Sequence, residues 1–346
     1  MSLHDGLGRV GVSIMGPQAA ANREFVMRHV TKPLRLTHRA IMASAILLTL
    51  SAATPANAGV CAGRGVELQV LGSGGPELMG DRASTSYLIR RNGRPSVLID
   101  SGGGSALRFG ESGSKVSDLD LVLFSHFHID HSSDFAALVK SSYFQNRTRP
   151  LTVLGPAGST FFPSTKRFVE SLFSQTDGVY RYLSDYLPAD GKASAGVYAL
   201  LPDDVETDAA KPKVVFDQDG LKVSALRQHH GNVPALAWRV EAGGTSVVFS
   251  GDTDGKNLDK LAASADLLVA HNAIPESATG SILELHMSPS QIGKMAAAAK
   301  VNALVLSHRM TRSLGQEEST RAAIAKSWKS KVQFANDLDC FAMKPH

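Results

Sequence analysis

After Gly59 the apolar positions switch between a period of two and a period of about 3.6, the signatures of half-buried strands and amphipathic helices. Short runs of the first kind predict strands at 66–71, 86–90, 96–100 and 119–125, and again at 221–226, 235–241, 246–250 and 267–270. Helical spacing occupies 134–143, 258–263, 289–299 and 317–328, with one more strand at 303–307. Strands and helices interleaved in this way predict a layered α/β domain. Between about 145 and 219 the texture changes: Gly and Pro are frequent, acidic residues gather at 203–206, and a short helical pattern carries Tyr180, Tyr182 and Tyr186. This stretch reads as an insertion or lid within a single domain.

The N-terminal pattern is of another kind. Arg23, Arg28, Lys32, Arg35 and Arg39 precede an uncharged run at 40–53 containing Ile46, Leu47, Leu48 and Leu50. That run is short for a membrane span and is followed by Pro55-Ala56-Asn57-Ala58, a small-x-small cleavage pattern. Residues 1–58 are therefore expected to be a signal peptide with an upstream extension, Met27 being the true start and cleavage falling near Ala58. A retained membrane anchor is the alternative. Export would place the mature domain, 59–346, in the periplasm or outside the cell.

Export also changes the charge balance. The leader holds six of the 36 basic residues and two of the 32 acidic ones, so the remainder carries 30 of each. A balanced chain offers no basic stripe for nucleic acid. The two cysteines, Cys61 and Cys340, stand in no zinc-binding spacing. In an oxidising compartment they are expected to pair, tying the mature N-terminus to the C-terminal strand, with two buried thiols as the alternative.

The chemistry concentrates in Ser125-His126-Phe127-His128-Ile129-Asp130-His131, directly after an apolar strand. Residues two apart on extended chain project to the same side, so His126 and His128 can reach one ion. Asp130 and His131, where the chain turns into a helix, can reach a second. Imidazole and carboxylate donors suit zinc, and also manganese or iron. Further histidines stand at 229, 230, 271, 286 and 308, beside strand ends or before helices.

Together with Leu71-Gly72-Ser73-Gly74-Gly75-Pro76, Leu98-Ile99-Asp100, His230-Gly231, Ser250-Gly251-Asp252-Thr253 and Leu306-Ser307-His308, this cluster resembles the metallo-β-lactamase superfamily. The nearest branch holds ribonuclease Z and the arylsulfatase-like hydrolases. The resemblance runs from about Val66 to the C-terminus and implies an αββα sandwich of two mixed sheets flanked by helices. It implies two divalent ions: His126, His128 and His230 on the first, Asp130, His131 and His308 on the second, with Asp252 bridging and a shared hydroxide as nucleophile. His229 competes with His230 for the ligand role, and the following Gly231 favours His230. The other histidine would pack or hydrogen-bond behind it, and Asp100 would orient a ligand imidazole.

The same resemblance narrows the reaction. Asp252 sets the chain apart from true β-lactamases and suits hydrolases of phosphoric or sulfuric esters, with lactonases and other acyl hydrolases as alternatives. His286-Met287-Ser288 and Arg312 match elements of the ribonuclease Z branch, so Arg312 is expected to grip an anionic substrate. His286 precedes Ser288-Pro289-Ser290-Gln291, which reads as a helix-capping box, and is the expected proton donor to the leaving group, with Asp130 also in the catalytic set. His271-Asn272, where that branch often has His-Glu, and the lack of a basic arm weaken a ribonuclease Z-like activity on RNA. The expected partner is a small-molecule ester, and a homodimer is compatible with the sequence. A metal- or partner-binding protein that merely keeps the fold is the non-enzymatic alternative.

Overall fold

The computed structural model describes residues 61–344 apart from 79, 189 and 195. The expected signal peptide lies outside the described residues. In chain order the strands are β1 (Val66–Gly72), β2 (Ser86–Arg91), β3 (Arg94–Ile99), β4 (Leu121–Leu123), β5 (Leu151–Pro156), β6 (Leu200–Val205), β7 (Lys213–Gln218), β8 (Leu221–Gln228), β9 (Ala235–Ala242), β10 (Thr245–Phe249), β11 (Leu267–His271), β12 (Ala303–Ser307), β13 (Lys331–Phe334) and β14 (Cys340–Ala342). They form two seven-stranded sheets, β14-β1-β2-β3-β4-β5-β6 and β13-β12-β11-β10-β9-β8-β7. Each is mixed: antiparallel hairpins on one side, parallel strands β3 to β6 or β10 to β13 on the other.

Local chemistry accounts for the hairpins. Asn92-Gly93 joins β2 to β3 and Asp219-Gly220 joins β7 to β8, all four residues at positive φ. Two-residue turns of that hand match the twist of the flanking strands. Between the sheets, Tyr87, Trp238 and Phe249 lie in one apolar layer with Leu68, Val97 and Val223. The outer face of the first sheet is covered by α1 (Ser105–Glu111), α3 (Phe135–Ser142) and α4 (Thr165–Phe173) through Phe109, Phe135, Val169 and Phe173. Over the second sheet, α5 (Leu258–Leu261), α6 (Pro289–Ala299) and α7 (Glu317–Ala325) contribute Leu261, Ile292 and Ile324. The architecture is an αββα sandwich.

The stretch 145–219 requires a correction. It supplies β5, β6 and β7, which belong to the sheets, so the long excursion outside them is 157–199, with short connections at 145–150 and 206–212. Strands β6 and β7 are the outermost of their sheets, and edge strands carry charge that blocks further pairing. That is why the acidic run at 203–206 looked like loop. The tyrosine-bearing pattern is a 3-10 helix, Arg181–Tyr186.

Candidate metal centre

In the first sheet β3 and β4 are parallel, in the second β8, β10, β11 and β12 run the same way, and the candidate residues sit at their C-terminal ends: Asp100 after β3, the 126–131 cluster after β4, His230 after β8, Asp252 after β10, His271 at the end of β11 and His308 after β12. The short helix α2 (Ile129–Ser132) starts within the cluster, which turns Asp130 and His131 off the strand direction. At Gly102 a Cβ would stand 2.1 Å from the carbonyl oxygen of residue 130, so only glycine lets the two segments pass there.

The residues assemble into two groups that share one carboxylate. Ligand atoms of His126, His128, His230 and Asp252 lie within 4.8 Å of one another, and so do those of His131, Asp252, His271 and His308. His126 Nε2 is 3.0 Å from His128 Nδ1. Asp252 Oδ2 is 3.8 Å from Nε2 of His131 and of His230, and 3.5 Å from Nε2 of His308. Asp130 Oδ2 joins the second group, 3.5 Å from His131 Nε2 and 3.9 Å from His308 Nε2.

Three of the ligand imidazoles are held by their far nitrogen. His131 Nδ1 meets Asp100 Oδ2 at 2.8 Å, His230 Nδ1 donates to the Leu285 carbonyl at 2.9 Å, and His308 Nδ1 meets Thr85 Oγ1 at 2.6 Å. Asp100 also accepts from Ser125 N and Ser125 Oγ, both at 2.7 Å. These contacts fix the rings with Nε2 facing the centre. There the Nε2 atoms of His131 and His230 are buried without a hydrogen-bond partner. Such orphans are costly in a packed interior, and a metal ion satisfies them, so the residues fit two ions.

Charge follows the same logic. Burial alone would raise the Asp252 carboxyl, but the imidazoles of His308, His271, His286 and His131 outweigh it and hold the group well below the carboxylate range. Burial, with neighbouring imidazoles, pushes His126 and His308 well below 6.5, so they are neutral donors at pH 7. His131 is also buried, yet Asp130, Asp100 and Asp252 raise it to about 9. Three carboxylates around one imidazole make a place for positive charge, whether a proton or a dication.

The family model of the metallo-β-lactamase superfamily matches residues 79–289. The chain belongs to the metallo-β-lactamase superfamily. A ribonuclease Z from Mycobacterium marinum (strain ATCC BAA-535 / M) is 31% identical over 287 residues, covering 79% of this chain and 97% of that protein. The solved short form of human tRNase Z is 21% identical with a TM-score of 0.58, covering 80% of this chain and 99% of that one. A diphosphatase of the PhnP family, 16% identical, has a TM-score of 0.56 and covers 81% and 98% respectively. At those identities the structural likeness speaks for the fold.

Within this metallo-β-lactamase-fold hydrolase, one candidate residue stands elsewhere than expected and the part played by another was missed. His229 is 42% exposed and its Nδ1 pairs with Asp254 at 2.8 Å, on the surface and not behind His230. Consecutive residues at a strand end face opposite ways, and only His230 turns inward. Arg312 donates through Nε to the Ala273 carbonyl at 2.8 Å and through Nη2 to Met310 Sδ at 3.1 Å, and its charge is one cause of the low His286 pKa. His286 is buried, its Nδ1 unpartnered and 3.9 Å from Asp252 Oδ2, just before the capping box that opens α6. The part missed is that of His271. Its Nδ1 lies 2.7 Å from Asp252 Oδ1 and its Nε2 3.0 Å from the buried Tyr87 hydroxyl, so both nitrogens are engaged and it orients the carboxylate. Its place at the end of β11, in register with Ser307 beside His308, was the available signal.

Proposed function

We propose that this hydrolase cleaves phosphoric or sulfuric esters, with phosphodiesters of small molecules as its main substrates, using two zinc ions or zinc replaced by manganese or iron. The observation that carries the reading is Asp252. One of its oxygens is held by His271 while the other faces His131, His230, His286 and His308 at 3.5–3.9 Å. A carboxylate shared between two ligand groups suits a pair of ions, which lower the pKa of a common water and neutralise charge on the attacked centre.

The chain's own residues then have distinct tasks. His126, His128 and His230 would hold one ion, and Asp130, His131 and His308 the other, with Asp252 available to both. His286 faces the same space with a free nitrogen and serves the leaving group as proton donor. Burial lowers it to about 4, so the negative charge of a bound ester is needed to bring its proton affinity towards neutrality. Arg312, near His286, adds attraction for that anion.

The reading is tested by loading metal-free protein with zinc or manganese and assaying aryl phosphodiester, aryl sulfate, lactone and cephalosporin substrates. Phosphodiester turnover above the other three is expected; turnover of the lactone alone would move the protein to the acyl hydrolases. The 31% identity to ribonuclease Z supports a second reading, an endonuclease on precursor tRNA. Precursor tRNA joins the panel, and its 3′ cleavage at rates exceeding the small diester would favour that reading. No turnover of any of these would favour a binding protein.

We also infer export. The run at 40–53, its flanking arginines and the Pro55–Ala58 pattern support it, as does the bond joining Cys61 to Cys340, whose Cα atoms are 5.5 Å apart. N-terminal mass analysis of periplasmic protein should find a chain beginning close to Gly59, and thiol titration should find no free cysteine. An intact leader and two free thiols would place the protein inside the cell.

A further inference from the structure

The metal centre has two dissimilar ends. Ring centroids step from Phe162 to His128 in 5.8 Å, from His128 to His230 in 5.2 Å, and from His230 to His286 in 5.5 Å. The His286 end carries the Arg312 charge. At the His128 end the neighbours are apolar: the half-buried Phe162 has its ring beside His128, Phe161 before it in sequence is 88% exposed, and Ile129, between two ligand candidates, is 75% exposed.

Phe161 and Phe162 are presented by a built loop. Between β5 and α4, Ser159 N donates to the Phe162 carbonyl at 2.8 Å, and Ser159 Oγ accepts from the amides of Phe161 and Phe162 at 3.4 and 3.3 Å. Thr165 Oγ1 donates to the Pro156 carbonyl at 3.1 Å across the loop's base. A Cβ on Gly158 would stand 2.4 Å from Ser164 N, so the turn is as tight as glycine permits. Just beyond it, Phe168 stacks on Phe127 with centroids 4.5 Å apart and anchors the start of α4 beside the metal cluster. A tight, anchored turn that exposes one phenylalanine and sets the ring of the next beside His128 offers apolar, flat surface next to a ligand candidate.

We propose that Phe161 and Phe162 form a shelf for a planar aromatic ring on the substituent that the ester keeps, while the leaving group faces His286. This rests on the phosphodiesterase reading and deepens it: the substrate is an unsymmetrical diester whose retained group is an aryl ring or a nucleobase. A ring gains over an alkyl group of equal area because its edges and faces complement those of phenylalanine. A sulfate monoester has no retained substituent and leaves the shelf unused.

The test uses binding, so that it does not depend on turnover. Phenylphosphonate and methylphosphonate are titrated calorimetrically into the zinc-loaded full-length mature protein and into the F161A/F162A variant, with circular dichroism and metal content confirming that the variant is folded and loaded. Phenylphosphonate is expected to bind the wild type about tenfold or more tightly than methylphosphonate, and the ratio should collapse to within about twofold in the variant. Should the alanine variant fail to fold, F161L/F162L replaces it, keeps the apolar area, and should still lose most of the preference. A wild-type ratio near one, or a ratio that survives both substitutions, overturns the shelf. Turnover of methyl p-nitrophenyl phosphate is measured separately. Its absence would refute the diesterase reading while the phosphonate ratio still judges the shelf. With the p-nitrophenolate leaving group held constant, a phenyl retained group outpacing thymidine assigns simple aryl esters, and the reverse order assigns nucleotide-derived ones.

Discussion

The two sheets supply the metal centre by different means. The first places four donors within six residues, after a single strand, with the turn into α2 dividing them between two groups. The second places His230, Asp252 and His308 singly, each at the end of a different strand. Local geometry fixes the first set; only the packed second sheet brings the other three together. Donors dispersed over three strands depend on tertiary structure, and the most connected of them, Asp252, is in that set.

The sharpest way to break this contrast is to remove one carboxylate from each set. Asp252→Ala is expected to lose at least one of two bound ions and about 10³-fold or more in activity, since it touches both groups. Asp130→Ala should cost one ion and less activity. Elemental analysis of both variants checks this, and equal losses would erase the asymmetry. His286→Ala probes the second half without touching a ligand. Metal content should stay at the wild-type level, while the rate loss grows with leaving-group basicity to ~10²- to 10⁴-fold for the poorest. A uniform loss across the series would remove His286 from the proton-donor role.

Tyr87→Phe tests whether the first sheet supports the second, because Tyr87 lies on β2 yet holds His271, which holds Asp252. Metal affinity, read by chelator competition, should fall by about 10- to 100-fold in a folded variant. Unchanged affinity would mean that His271 needs no support. The smallest effect concerns pH. Neutral, buried His126 and His308 take up protons below 6.5 only on unfolding, so the metal-free protein should lose stability as pH falls below 6.5. His131 acts in the opposite sense: protonated in the fold up to about 9, it contributes below 6.5 and loses that contribution as pH rises through 9. Thermal melts of metal-free protein should therefore peak near 6.5, and zinc should abolish the alkaline decline because ligated His131 carries no proton. A flat profile in metal-free protein would contradict both assignments.

How much was legible in the sequence follows the same division. The 126–131 cluster could be read directly, since adjacency in sequence is adjacency in space there. The residues that hold Asp252 in place could not. His271 and Tyr87 meet it through side chains from β11 and β2, 184 residues apart, and no local pattern joins them. Strand periodicity found most of both sheets but missed β5 inside the first sheet and the edge strands β6, β7 and β13, of which β6 and β7 carry charge that blocks further pairing. The loop at 157–164 is silent in sequence as well: Phe161 and Phe162 there look like ordinary core residues, and only their exposure reveals otherwise.

The pairing of β14 with β1 bears on when this protein can become itself. Residues 340–342 complete the sheet that residues 66–72 begin, so during synthesis the edge of β1 waits for a segment about 270 residues later. At about 5–20 residues per second, that wait lasts on the order of ten seconds or more, with an apolar strand edge unprotected. Contacts this distant in sequence also slow folding once the chain is free. A sheet that cannot close early depends on whatever guards its first strand until residues 340–342 arrive.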